Sequence, residues 1–408
     1  MTKTNVPRLR FREFDGEYVL SSIKDITNKV KSYSLSRDYE VNDSRTEYVH
    51  YGDIHTRLNN IINDGDKLPN IKDGKYTLLK SGDIVVADAS EDYNEVAKPM
   101  LLENINNRNV VSGLHTIALR LDEVDSLYLY YFMQTDIYKK NCYRLANGMK
   151  VYGINYDNLG KIRINLSSYT EQQKIGSFFE KIDKIIELQT KKLEQLKKIK
   201  QGYLQKIFPQ YGESVPRLRF SGFSDEWKVS KGKAIFYNFS DKNHEGLPPL
   251  SVTQDQKIWY RDELDPALSY DKQKLSTYKL IDKNYVVIGL RSFVGGFAIS
   301  DKRGIVSPAY TILKFRNTPW DFYFTRNLFT SYVFIQSLKK ITYGIRVNGR
   351  SISYNDFSTL PLVYTDNLEE QKKIGALLNT FDSLIELHEK KLDNIKKMKK
   401  AYLQNMFI

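Results

Sequence analysis

The chain has 408 residues, 41% of them apolar and 13% aromatic, with 62 Lys and Arg against 49 Asp and Glu, a formal charge of +13 and a pI near 9.3. That length exceeds one hydrophobic core and suits two domains with connectors, and the charge points to a polyanion, nucleic acid ahead of a membrane surface. The lone Cys142 excludes a disulfide framework or thiolate cluster, and no apolar run approaches the ~20 residues that cross a bilayer, so the expectation is a cytoplasmic protein with no membrane partner.

In chain order, a lead-in motif Val-Pro-Arg-Leu-Arg-Phe at 6–11 returns unchanged at 215–220, followed by Phe14 and Glu17-Tyr18 in one copy and Phe223 and Glu226-Trp227 in the other. Each motif precedes a block of short β-type runs broken by Gly, Asn and Asp: 76–79, 83–87 and 116–121 in the first, 285–290, 297–300 and 310–315 in the second. Helical stretches at 127–143 and 321–340 follow the strands, then Gly-led loops at 148–151 and 344–347. Each block ends in a long amphipathic helix. Residues 171–208 and 370–407 match at 19 of 38 positions at an offset of 199, and such an internal repeat fixes the architecture.

In the first helix Ile175, Phe178, Ile182, Ile185, Ile186, Leu193, Leu196, Ile199, Tyr203 and Ile207 recur three or four apart, and the second keeps the pattern, the signature of one buried stripe. Ser168 and Thr170 offer caps and Glu171 suits the first turn. The two helices are expected to pair antiparallel as a coiled coil with a pseudo-twofold axis. Tyr203-Leu204-Gln205 and Tyr402-Leu403-Gln404, repeated near the helix ends, read as docking motifs for two copies of one partner, with Ile175, Phe178, Leu193, Ile374, Leu377 and Leu392 as further docking candidates. The expected fold is α+β: two mixed α/β domains at 15–168 and 224–367, lead-in segments at 1–14 and 210–223, and helices at 169–209 and 368–408 that separate the domains.

Catalytic signatures are missing. No Walker loop, no Asn- or Asp-Pro-Pro-aromatic motif for a flipped adenine and no metal-ligand spacing among five histidines occurs, and Asp225-Glu226-Trp227-Lys228 is a poor nuclease pattern because the first copy has Val19 at the Lys228 position. Sequence readout needs donors and acceptors on positioned loops. The first block offers Tyr51, His55 and Arg57, then Ser90 and Tyr93, then Asn147, Lys150 and Tyr152; the second offers Gln254, Gln256, Arg291, Ser292, Tyr310, Arg346, Asn348 and Arg350.

Several features together resemble the specificity subunit of type I restriction-modification systems over essentially the whole chain. They are the duplicated layout, the Glu-Gln-x-x-Ile-Gly starts (Glu171, Gln172, Ile175, Gly176; Glu370, Gln371, Ile374, Gly375), the Pro-x-Leu-Arg-Phe tags, Ser81-Gly82-Asp83-Ile84, the run 290–296 and Ser307-Pro308-Ala309-Tyr310, whose place Ser112-Gly113-Leu114-His115 takes in the first block. The resemblance implies that each block is a target-recognition domain for half of a bipartite double-stranded DNA sequence. It implies that the helices set the gap and dock two modification (adenine methyltransferase) subunits, with restriction subunits joining through the complex. It further implies a chain with no catalytic residue and no cofactor or metal, S-adenosylmethionine, ATP and Mg²⁺ belonging to partner subunits. The rival readings are a stand-alone methyltransferase or nuclease with duplicated recognition domains, and a coiled-coil scaffold that binds no DNA.

Overall fold

The computed structural model describes residues 5–56, 60–92, 95–148, 150–253, 257–264, 272–289, 296–317, 320–342 and 352–408, the side chains of 272 and 340–342 excepted. They form two compact units, unit 1 being Met1–Thr190 with Lys390–Ile408 and unit 2 Lys191–Glu389.

Unit 1 is built on a five-stranded sheet in the order Thr27–Val30, Thr116–Leu121, Ile84–Ala87, Pro99–Leu102, Ile61–Ile62, antiparallel except for the last pair. The run Ile84–Ala87 is apolar at every position because the sheet is covered on both faces. Successive side chains point to opposite faces. Val85 and Ala87 join Ile54 of helix α1 (Tyr51–Thr56), while Ile84 and Val86 meet Tyr128 and Tyr131 of α2 (Ser126–Phe132) and Tyr138 of α3 (Asp136–Leu145). A short helix α4 (Tyr156–Gly160), capped by Asn155, and the start of α5 (Tyr169–Ile207) complete the unit's own segment.

The single helix expected over 127–143 is two, because the Thr135 hydroxyl accepts from Tyr138 N (3.2 Å) and opens a fresh N-terminus. Segment 76–79, expected as a strand, joins no ladder; Thr77 N donates to the Tyr33 hydroxyl and Leu79 N to the Val110 carbonyl. Cys142 is fully buried in α3, and burial pushes its thiol up to about 12. A thiol so placed is neutral and unreactive at ordinary pH. A disulfide-exchange reagent at pH 8 should label none of the native chain and one thiol per chain in denaturant; fast native labelling would contradict this packing.

Unit 2 repeats the order with a four-stranded antiparallel sheet, Phe236–Phe239, Thr311–Phe315, Val286–Ile288, Phe297–Ile299. Around it lie α6 (Gly232–Ile235), α7 (Phe322–Leu328), α8 (Tyr332–Thr342), α9 (Tyr354–Thr359) and the start of α10 (Leu368–Met406). The helix expected over 321–340 is again broken, with Ser331 bonding the Leu328 carbonyl (2.7 Å) at the break.

Helices α5 and α10 have 39 residues each, about 58 Å at 1.5 Å per residue, and the division into units falls inside both. In unit 1 Phe178 meets Tyr402 at 5.2 Å and Lys399 pairs with Asp183 at 2.6 Å. In unit 2 Tyr203 meets Phe381 at 5.3 Å, and Lys200–Asp382 and Lys197–Glu389 pair at 2.6 Å. Numbering rises along one segment as it falls along the other, so each unit holds an antiparallel pair.

The repeated motifs form a clamp in each unit. Glu171, fully buried in the first turn of α5, accepts from Arg10 Nε (2.8 Å) and Nη2 (2.7 Å) and from the Tyr18 hydroxyl (3.0 Å). Glu370 accepts likewise from Arg219 Nε (2.7 Å) and Nη2 (3.0 Å). The next residue ties the helix to its domain, since Gln172 Oε1 accepts from Asp125 N (3.1 Å) and Gln371 Oε1 from Asp321 N (2.9 Å). Ile175 and Ile374 are buried, and Gly176 and Gly375 allow the approach: a Cβ at 176 would lie 2.6 Å from Leu127 Cβ, and one at 375 would overlap Asp321 Oδ1.

The same tags hold the ends of the opposite helices. Leu9 N donates to the Asn405 carbonyl and Leu218 N to the Lys206 carbonyl, both 2.9 Å, which satisfies acceptors a helix end leaves open. The terminal aromatics then fill the cores, Phe407 against Tyr128 (5.0 Å) and Phe179 (6.0 Å), Phe208 against Trp227 (5.7 Å) and Phe324 (5.6 Å).

Candidate nucleic-acid interface

Unit 1 has an open groove of about 600 Å³ beside the lead-in to its central strand, lined by Lys29, Lys31, Asp88, His115, Asn147 and Asn155 among others. One wall is the hairpin closed by Asn147 and Gly153, which exchange both backbone bonds (2.9 and 2.8 Å). Gly148 makes its turn possible, with φ +129° and no room for a Cβ against the Val151 carbonyl. The hairpin is tied back through Tyr152–Ser90 and Gly153–Ala89 pairing and Ile154 N to the Asp88 carbonyl (2.8 Å).

The opposite wall is the edge strand Thr27–Val30. The Lys29 ammonium sits 5.5 Å from the centre of the Tyr156 ring, and that of Lys31, just beyond the strand, 4.9 Å from the Tyr33 ring. No carboxylate among the described residues pairs with either lysine. His115 lies between the walls with φ +54°, in the left-handed region that few non-glycine residues adopt, histidine more readily than most. Its Nδ1 donates to Asp88 Oδ1 (3.2 Å), and its carbonyl accepts from Asp88 N (3.0 Å). Burial raises the Asp88 carboxyl above the usual range, with the facing His115 opposing the shift.

The structure gathers the first block's described candidates around this hairpin and separates their roles. Asn147 and Lys150 are exposed on it, and Tyr152 is half-buried beside Tyr143 (6.4 Å). Tyr51 packs edge-on to His115 (5.3 Å). His55 is engaged within the chain, Nε2 donating to the Ala89 carbonyl (3.0 Å) and Nδ1 facing Glu95 Oε2 (3.3 Å). Ser90 is buried and accepts from Asp92 N (3.1 Å). In unit 2 Tyr310 is half-buried against the sheet, its carbonyl bonded by Lys279 (2.6 Å). Arg57, Tyr93, Gln254, Gln256, Arg291, Ser292, Arg346, Asn348 and Arg350 lie outside the described residues.

Sequence reading missed Lys29, Lys31, Asp88, His115 and Asn155. The available signal was the alternation Lys29-Val30-Lys31 on a strand, which sends both ammonium groups to one side. In unit 2 the edge strand Phe236–Phe239 carries no lysine, and the cation comes instead from Lys314 on the paired strand, over the Phe239 (4.5 Å) and Tyr285 (4.8 Å) rings. One scaffold thus carries different polar groups in the two units.

The helices need a correction. Of the docking candidates, Ile175, Leu193, Ile374, Leu392 and Leu403 are buried and Phe178, Tyr203, Leu204, Leu377 and Tyr402 are half-buried, so much of their surface is spent on packing within the chain. Ile185, Ile199, Leu384 and Met398, assigned to the buried stripe, are exposed. They fall into one repeated set: Ile185, Leu188 and Met398 in unit 1, Leu384, Leu387 and Ile199 in unit 2, with Leu188 57% and Leu387 61% exposed.

Among the described residues no group of three or more His, Cys, Asp or Glu could hold a metal ion, and no helix is long and apolar enough to cross a membrane. Residues 16–198 and 224–397 match the family model described as the type I restriction modification DNA specificity domain. The chain is 22% identical over 432 aligned positions to the MjaX type I restriction enzyme specificity subunit of Methanocaldococcus jannaschii, covering 98% of this chain and 95% of that one. It is 23% identical over 303 positions to that organism's MjaVIII specificity subunit, covering 69% of each. In fold it is similar to the crystal structure of a type I restriction-modification S subunit from M. genitalium, with TM-score 0.62, 15% identity and 99% of each chain covered. A second structure, from work on assembly of the type I system, matches with TM-score 0.53 and 13% identity over 96% of this chain and 98% of that one.

Proposed function

The chain belongs to the type I restriction modification DNA specificity family and carries two of its domains, and on that premise we propose how this non-catalytic subunit addresses a modification complex to DNA. Each unit's recognition domain reads one half of a bipartite duplex target, and α5 and α10 set the gap between the halves. Two modification subunits dock on the helices, one on each copy of the exposed apolar set. Restriction subunits join through that complex. S-adenosylmethionine, ATP and Mg²⁺ are bound by the partners, the work is done in the cytoplasm, and Asn147, Lys150 and Tyr152 reach the DNA in unit 1.

The observation that carries this reading is one scaffold, built twice with the same clamp, that displays unlike polar groups on the edge strands of its two sheets. Identical supports need only one kind of partner, and unlike groups suit two half-sites. Co-expression with modification subunits and single-molecule mapping of methylated adenines should return one split motif with a fixed undefined gap. A continuous motif would refute two-domain readout. Inserting four residues in both helices, after Thr190 and after Glu389, adds about 6 Å and should widen the gap by one or two base pairs at ~3.4 Å each. An unchanged gap would show that the helices do not set it.

A further inference from the structure

We propose that the unit 1 groove is where the first half-site is read, with His115 contacting a base edge and Lys29 and Lys31 holding the adjoining phosphates; this deepens the reading above and rests on it. Three independent features converge there.

The first is the backbone of His115. A left-handed conformation at a bulky residue persists only where the surroundings impose it, and such residues cluster at functional sites. Here the strand Thr116–Leu121 on one side and the His115 carbonyl bond to Asp88 N on the other hold the residue in place.

The second is the orientation of its ring. Asp88 Oδ1 accepts a hydrogen bond from Nδ1–H at 3.2 Å, so the imidazole has one anchored nitrogen, and Nε2 remains to bond a base. Half of the His115 side chain is exposed. A ring fixed by its own neighbour loses little entropy on binding, which favours a specific contact over an adaptable one.

The third is the pair of lysines. Their ammonium groups rest over Tyr156 and Tyr33 and have no carboxylate partner among the described residues. Cations placed on aromatic faces are positioned without being neutralised, which suits phosphate contact. Asn147 and Asn155 add amide groups to the same walls.

The test uses the full chain with its modification subunits. The wild-type complex is mapped first, and its split motif establishes the underlying reading; a wild-type complex with no split motif would overturn that reading and this assignment together. His115→Asn keeps a residue type that tolerates the left-handed backbone. It should relax one base pair of one half-site, lowering discrimination there roughly tenfold or more, with the other half-site unchanged. Asp88→Asn, a positioning change, should relax that same base pair, whereas a merely structural role would weaken the whole half-site. Lys29→Gln with Lys31→Gln should weaken duplex binding uniformly across sequences and reduce the salt slope by about 1 per lysine. A split motif that His115→Asn leaves unaltered, in a variant with wild-type thermal stability, would overturn the assignment, as would a salt slope unmoved by the lysine changes.

Discussion

Arg219→Ala is expected to destabilise unit 2 by about 3–5 kcal/mol, the usual consequence of removing one partner of a buried ion pair. Glu370 is fully buried, and among the described residues no other side chain donates to its carboxylate. The first copy is better insured. Arg10→Ala leaves Glu171 the Tyr18 hydroxyl, whereas Trp227 at the corresponding place has a buried Nε1 with no bond. A hydrogen bond to a charged group contributes about 1.5–3 kcal/mol, so the unit 1 loss should be smaller by that order. All three tryptophans, Trp227, Trp259 and Trp320, belong to unit 2, so intrinsic fluorescence follows that unit. With a urea slope of roughly 2 kcal/mol per M, Arg219→Ala should lower the fluorescence midpoint by about 2 M. A drop below 0.5 M, which is about 1 kcal/mol at that slope, would mean the carboxylate finds another way to be satisfied.

The double variant Leu188→Glu, Leu387→Glu is expected to abolish methylation while leaving duplex binding intact. Both leucines are exposed and lie at the same place in the helix repeat, 199 positions apart. Burying a leucine stabilises a contact by about 1.5–3 kcal/mol. A carboxylate in its place adds a desolvated charge with no partner, the kind of change that removes a central interface contact. Co-purification of tagged modification subunits measures docking, and fluorescence anisotropy of a labelled duplex measures DNA binding. Each single variant should lose one of two subunits. Full co-purification with the double variant would move the docking surface off these helix faces.

Much of the architecture was legible before any coordinates. The helix repeat announces itself because 3.6-residue periodicity persists over ten turns, and the central strand 84–87 stands out because a sheet covered on both faces favours an unbroken apolar run. The roles of the motifs were not legible. Glu171 meets an arginine 161 positions away, and nothing local in Glu-Gln-x-x-Ile-Gly names Arg10 as its partner. Periodicity also cannot tell which apolar positions of a long helix face inward once it has different neighbours along its length, so Ile185 and Ile199 were assigned to the buried stripe while Leu188 was passed over. His115 escaped for another reason: its placement depends on a positive φ and a contact with Asp88, and neither has a sequence signature.

The way the two units share helices also orders their formation in time. Unit 2 is one continuous stretch, but the core of unit 1 takes in Leu403, Met406 and Phe407, some two hundred residues downstream of Phe179. At the ~5–20 residues per second of protein synthesis, that stretch takes roughly 10–40 s to emerge. The first domain to leave the ribosome is therefore the last to close its core, and it waits with the surface around Tyr128 and Phe179 uncovered. A nascent chain stalled near residue 300 should offer a chaperone that surface, and one released in full should not.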